Sequence, residues 1–241
     1  MGGGKIQNRI FAAQFLKHWD MKRIALFILP LLVLVGCKDD SQMEISNTLL
    51  NEFDCINFES YGSITFKQGN ERSILISGPR KMVKNLDYKV SNGQLLLTSK
   101  SSLHFANTDG VHVIITAPDL SRVVLDGAGA FSFNGLNLDH DLYMRCAGAC
   151  KIRTTDLQCA DFTLNYSGVG EFDGLNLRCE NVDVSVSGVG KAHLNVECRN
   201  NLSVKLGGVG SITVSGTTKH LNLSSDGVGS VNVTGLTVLA E

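Results

Sequence analysis

A short glycine-containing turn recurs along the second half of the chain at an almost constant spacing. It reads Asp126-Gly127-Ala128-Gly129, Ala147-Gly148-Ala149-Cys150, Ser167-Gly168-Val169-Gly170, Ser187-Gly188-Val189-Gly190, Gly207-Gly208-Val209-Gly210 and Asp226-Gly227-Val228-Gly229. Successive first glycines stand 21, 20, 20, 20 and 19 residues apart. A fixed period of this length marks a solenoid: one repeat cannot bury its own apolar face, so repeats stack and share a continuous core.

Aligning the repeats on that turn sorts their side chains into columns. Phe131, Ile152, Phe172, Ala192, Ile212 and Val231 fall together after the turn. Before it fall Leu142, Phe162, Val182, Leu202 and Leu221, with Met144, Leu164, Val184, Val204 and Leu223 two residues further on. Apolar residues at i and i+2 belong to strands, because alternate side chains point to one face. Each rung is then strand, glycine turn, strand, second turn, with the next rung about 4.8 Å along the axis. Same-sense strands joined by crossovers coil right-handedly in nearly all cases. The expected fold over residues 53–236 is all-β: a right-handed parallel β-helix of about 20 residues per rung, preceded by antiparallel β-hairpins.

Residues 53–120 do not follow the period, although alternation continues in Ser63–Lys67, Ser73–Ser77, Gln94–Thr98 and Val111–Thr116. Turn signals at Gln68-Gly69-Asn70, Ser91-Asn92-Gly93 and Asp109-Gly110 separate them, which predicts hairpins capping the open end of the helix. At the repeated corners glycine is expected to supply positive φ. The Gly-x-Gly pattern is not a phosphate loop, since strands rather than a strand and a helix flank it.

The amino terminus carries an address. Met21–Cys37 reads as a basic start at Lys22 and Arg23, an apolar run from Ile24 to Val35, then Gly36 before a cysteine. This is a secretory signal, too short for a comfortable membrane span. Leu34-Val35-Gly36-Cys37 resembles the lipobox of bacterial lipoproteins, which implies acylation of the Cys37 thiol and attachment to a membrane by a lipid anchor of two or three chains. Lys38, Asp39 and Asp40 resemble the export tag of surface-directed lipoproteins in one Gram-negative group. Met21 is the expected initiator, with 1–20 an upstream extension of the gene model, 21–36 the signal peptide and 37–52 a lipidated, flexible tether. An outer-membrane lipoprotein at the cell surface, or alternatively facing the periplasm, is the expected location.

Four stretches taken in order resemble one known family: Gly62–Gly69, Ser73–Gly78, Ile115–Leu120 and Val124–Gly129, followed by the Ser-Gly-Val-Gly repeats. They are similar to the head-GIN-domain family of "putative auto-transporter adhesins", over about residues 53–236. The resemblance implies an all-β, β-helix-like, secreted or lipid-anchored envelope protein, and brings no catalytic motif. The chain departs from the family in reaching Glu241 soon after its last rung, so that this edge is either covered or pairs with another copy.

Charge and motif arguments narrow the function. A net charge of −1 excludes a strongly basic nucleic-acid surface. Lys151, Glu171 and Lys191 alternate in sign one rung apart, beside Arg153, Asp173 and His193. Opposite charges on neighbouring strands favour that register by roughly 0.2–1 kcal/mol per pair; a ligand-binding face is the alternative reading. Cys159, Cys179 and Cys198 share one corner of successive rungs and read as stacked thiols, while a Cys146–Cys150 bridge is possible and Cys55 is left free. No metal site, cofactor or catalytic residue is expected: cysteine and histidine spacing does not suit zinc, and His104 with His112 makes only a weak pair across the Asp109-Gly110 turn. Neither a Gly-x-Ser-x-Gly elbow nor a His-Glu-x-x-His helix is present. The reading is a non-enzymatic, lipid-anchored adhesin or binding module for a glycan or extracellular-matrix partner. Its rivals are a self-associating envelope scaffold forming a homo-oligomer and, further off, a polysaccharide-active β-helix enzyme.

Overall fold

A computed structural model of the chain describes residues 43–100 and 110–240. In chain order the elements are β1 (Met43–Leu49), β2 (Cys55–Glu59), β3 (Tyr61–Gln68), β4 (Ser73–Pro79), α1 (Arg80–Asn85), β5 (Leu86–Ser91) and β6 (Gln94–Ser99). There follow β7 (His112–Ala117), β8 (Arg122–Leu125), β9 (Ala128–Asn137), β10 (Leu142–Cys146), β11 (Ala149–Tyr166) and β12 (Val169–Val186). The last are β13 (Val189–Cys198), β14 (Asn201–Leu206), β15 (Val209–Thr218), β16 (His220–Ser225) and β17 (Val228–Val238).

The fold is a β-solenoid of about six turns with about 20 residues per turn, plus antiparallel strands. The columns read from the repeat are its parallel registers. Phe131 pairs with Ile152, Ile152 with Phe172, Phe172 with Ala192, Ala192 with Ile212 and Ile212 with Val231. Leu142, Phe162, Val182, Leu202 and Leu221 line up in the same way on the other side of the corner. From Phe131 to Ile212 and from Leu142 to Leu202 these side chains are buried. Phe162 and Phe172 bring two columns together, their rings stacked at 6.1 Å between centroids. Burying one such side chain contributes about 1.5–3 kcal/mol relative to leaving it in water, which is why the period survives in the apolar positions.

The glycines need a different explanation from the one expected. At the first glycine of each corner the backbone is not in the positive-φ region; instead, a Cβ on Gly188 would press into the Gly168 carbonyl of the rung below, and Gly168 stands so against Gly148. Close stacking, not dihedral angle, excludes a side chain there. Positive φ belongs to the second glycine of four corners, Gly129, Gly170, Gly210 and Gly229, as at Gly170 with φ 140°.

Two expectations for the amino-terminal part are corrected. The strands β2 and β3 are not hairpin strands but a rung of the solenoid: β2 runs parallel to β8 and β3 parallel to β9, with Gly62 opposite Gly129. The antiparallel elements are the β5–β6 hairpin, which adds to β2 through β6, and β4, which pairs with β7 and β1. Because β7 lies between β3 and β4, the Gln68-Gly69-Asn70 turn does not join a hairpin. Within the 37–52 stretch expected to be a flexible tether, Met43–Leu49 forms β1, bonded along its length to β4.

Candidate binding face

Along β12, Val169, Glu171 and Asp173 alternate with the inward Phe172, so all three project from one outer face. The neighbouring strands repeat the arrangement in register: Ala149, Lys151 and Arg153 on β11, and Val189, Lys191 and His193 on β13. The result is a lattice of three columns and three rungs, spaced about 4.8 Å between rungs and about 6.6 Å along each strand.

Two of the columns are charged. Lys151 Nζ donates to Glu171 Oε2 at 2.8 Å. Asp173 receives Arg153 Nη2 at 3.2 Å on one oxygen and His193 Nδ1 at 3.2 Å on the other. Burial of Asp173 alone would raise its pKa, but the hydrogen bonds from His193 and Arg153 outweigh it and hold the carboxyl below its ordinary value. The carboxylate is therefore ionised and fixed, with its side chain 16% exposed between the Arg153 guanidinium and the His193 imidazole, both more open to solvent.

The third column is aliphatic and was not foreseen. Val169, Val189, Val209 and Val228 are 59%, 51%, 50% and 72% exposed, an apolar ridge down the corner of the solenoid. The signal was in the sequence as the residue between the paired glycines. A second unforeseen column runs at the opposite corner: Asn181 donates to Asp161 at 2.8 Å and Asn201 to Asn181 at 2.9 Å. Its spacing of 20 residues was equally visible. Asp156 and Asn176 form a left-handed corner with φ of 54° and 55°, a conformation these short polar side chains tolerate.

The metal-ligating donors of Glu171, Asp173 and His193 lie within 4.8 Å of one another. Lys151 and Arg153 already neutralise both carboxylates, so the group is built as an ion-pair network. Cys146 and Cys150 are joined by a disulfide, closing the alternative left open in the sequence. Cys159 and Cys179 stack with sulfurs 3.4 Å apart, and Cys198 continues the column opposite Cys179. Hydrogen bonding with Cys159, together with burial, drives the Cys179 thiol far above its usual range, so it is no nucleophile at neutral pH. Cys55, half-buried beside Asp54 and Ser121, is shifted upward by burial. His112 bonds the Ser63 hydroxyl at 2.7 Å, while His104 lies outside the described residues. So do Cys37, Lys38, Asp39 and Asp40.

A family model described as "Putative auto-transporter adhesin, head GIN domain" matches residues 52–199. None of the curated proteins matches the chain. Among solved structures, a "putative adhesin" from Bacteroides fragilis NCTC 9343 is 22% identical with a TM-score of 0.55, the match covering 82% of this chain and 99% of that one. A "putative adhesin" from Parabacteroides distasonis ATCC 8503 is 12% identical with a TM-score of 0.43, covering 80% and 98%. A "putative lipid binding protein" from the same organism is 14% identical with a TM-score of 0.47, covering 80% and 97%. The first of these shares the solenoid fold.

Proposed function

The chain belongs to the family described as "Putative auto-transporter adhesin, head GIN domain", and from that membership we propose a lipid-anchored envelope protein that binds a glycan or matrix partner without covalent chemistry. The observation that carries this reading is the columned face of β11, β12 and β13. Sugars present hydroxyls and C–H faces side by side. A row of fixed, charge-assisted donors and acceptors beside an exposed aliphatic ridge matches both. The face repeats at rung spacing, which suits a linear chain of like units lying along the solenoid axis.

Anchoring rests on Cys37, and direction to the surface on Lys38, Asp39 and Asp40. The description of the family as adhesins supports an envelope location for the same domain.

The test is binding of the Cys37→Ser chain to an array of glycans and matrix proteins, beside the same chain carrying Val169→Asp and Val189→Asp. Both valines are exposed, so the fold tolerates the change. Binding that the paired substitution weakens at least tenfold is expected. Absence of binding across the array, or binding that the pair leaves untouched, overturns the reading.

A further inference from the structure

The strand β1 turns the wrong side chains outward. Glu44, Ser46 and Thr48 lie on its more covered side, while Met43, Ile45, Asn47 and Leu49 stand on the outer face. Met43 is 63%, Ile45 71% and Leu49 74% exposed, and no large apolar side chain among the described residues is more exposed than Leu49. The neighbouring strand carries the face on: Ser73, Leu75, Ser77 and Pro79 of β4 stand opposite Leu49, Asn47, Ile45 and Met43. None of these outer positions on the two strands holds a lysine, arginine, aspartate or glutamate. Strands at a sheet's margin ordinarily carry such charges, which keep them apart from other surfaces.

The charge stands beside the stripe instead. The helix α1 packs against β1 and carries Arg80, Lys81 and Lys84, all exposed, with no acid in its sequence. Glu44, the one acid of β1, pairs with Arg80 at 3.6 Å.

We propose that Met43, Ile45 and Leu49 lie in the headgroup layer of the bilayer that holds Cys37, which makes β1 the membrane-facing margin of the domain. This rests on the lipid anchor proposed above. Met43 is the sixth residue after Cys37, and six residues reach at most about 22 Å, so an acylated Cys37 keeps β1 within that distance of the membrane. The stripe selects a surface and not a strand as its cover. Side chains stand off a sheet rather than in its plane, so a strand added beside β1 leaves them in water, whereas a bilayer laid over the face covers all three at once. The cations of α1 complement anionic headgroups. The columned face is held away from the lipid: β4, β7, β3 and β9 lie in order between β1 and β11, which sets that face five strand spacings, about 24 Å, along the sheet.

The experiment places a tryptophan on the stripe. The full chain carries Trp19→Phe, which removes its only tryptophan, together with Ile45→Trp or, for comparison, Leu175→Trp on β12, where the leucine is 44% exposed. Both side chains face solvent, so the fold accommodates the larger ring, and circular dichroism melts establish that each variant is folded. The chains are produced in cells that process lipoproteins, acylation of Cys37 is read by mass spectrometry, and the products are reconstituted into vesicles of phosphatidylcholine and phosphatidylglycerol, with and without acyl chains brominated near the headgroup. The expected result is an acylated chain in which brominated lipid quenches Ile45→Trp at least twofold and leaves Leu175→Trp unchanged. An acylated chain with Ile45→Trp unquenched, or with both reporters quenched alike, overturns this inference and leaves the anchor standing; an emission that is unquenched yet blue-shifted assigns the stripe to a second copy or another protein instead. A Cys37 without acyl chains overturns the anchor and this inference with it.

Discussion

Phe172 sits fully buried at the meeting of two columns, its ring stacked on Phe162. Truncation to alanine removes those contacts from the middle of a close-packed stack, so Phe172→Ala is expected to cost about 3–5 kcal/mol in denaturant unfolding. An unchanged midpoint contradicts the column. His140 makes a subtler test. Its Nδ1 faces the Asp141 carbonyl at 2.9 Å and its Nε2 the Asp119 carboxylate at 2.7 Å, and only the imidazolium donates to both. The Asp141 bond is the larger cause, the Asp119 bond the lesser, and together they raise the histidine above its ordinary 6.5 despite partial burial. With a raised folded-state pKa, this stabilisation is fully present below about pH 6.5 and is lost as pH rises through the folded value. NMR titration should find the His140 midpoint above 6.5 and Asp119→Asn should lower it; a midpoint at or below 6.5 in the parent contradicts the geometry.

At the scale of elements, the rung is defined by backbone stacked on backbone at the corners. Gly188→Ala drives a methyl into the carbonyl of Gly168, so it should destabilise by well over the ~1 kcal/mol of an ordinary substitution, whereas Ser187→Ala at the neighbouring exposed position should be nearly neutral. Equal effects, read by thermal melts, contradict close stacking as the reason for glycine. The same scale explains what the sequence disclosed. The rungs after Asp126 were legible because each pairs with a neighbour about twenty residues away and repeats its pattern. The β2–β3 rung was not, because its partners lie across a long insertion: Thr65 meets Ser132, 67 residues on. Its one clue was Gly62, followed like Gly129 by alternating apolar residues. The strand β1 escaped because its more covered residues are Glu44, Ser46 and Thr48, while Met43, Ile45 and Leu49 are exposed, the reverse of the usual alternation. The charged columns of the outer face are legible in Lys151, Glu171 and Lys191, whereas the valine ridge beside them shows in the sequence only as single residues between paired glycines.

At the scale of the whole molecule, the solenoid shows one columned face to solvent, and the amino-terminal sequence is expected to set where that solvent is. The fold makes the face long and regular; we propose that Cys37, Lys38, Asp39 and Asp40 direct it to the outside of the cell. The measurement is protease shaving of intact cells, comparing the parent chain with one carrying Lys38→Ala, Asp39→Ala and Asp40→Ala. The account predicts that the parent's solenoid is digested from outside while the variant is protected. Protection of both would contradict it.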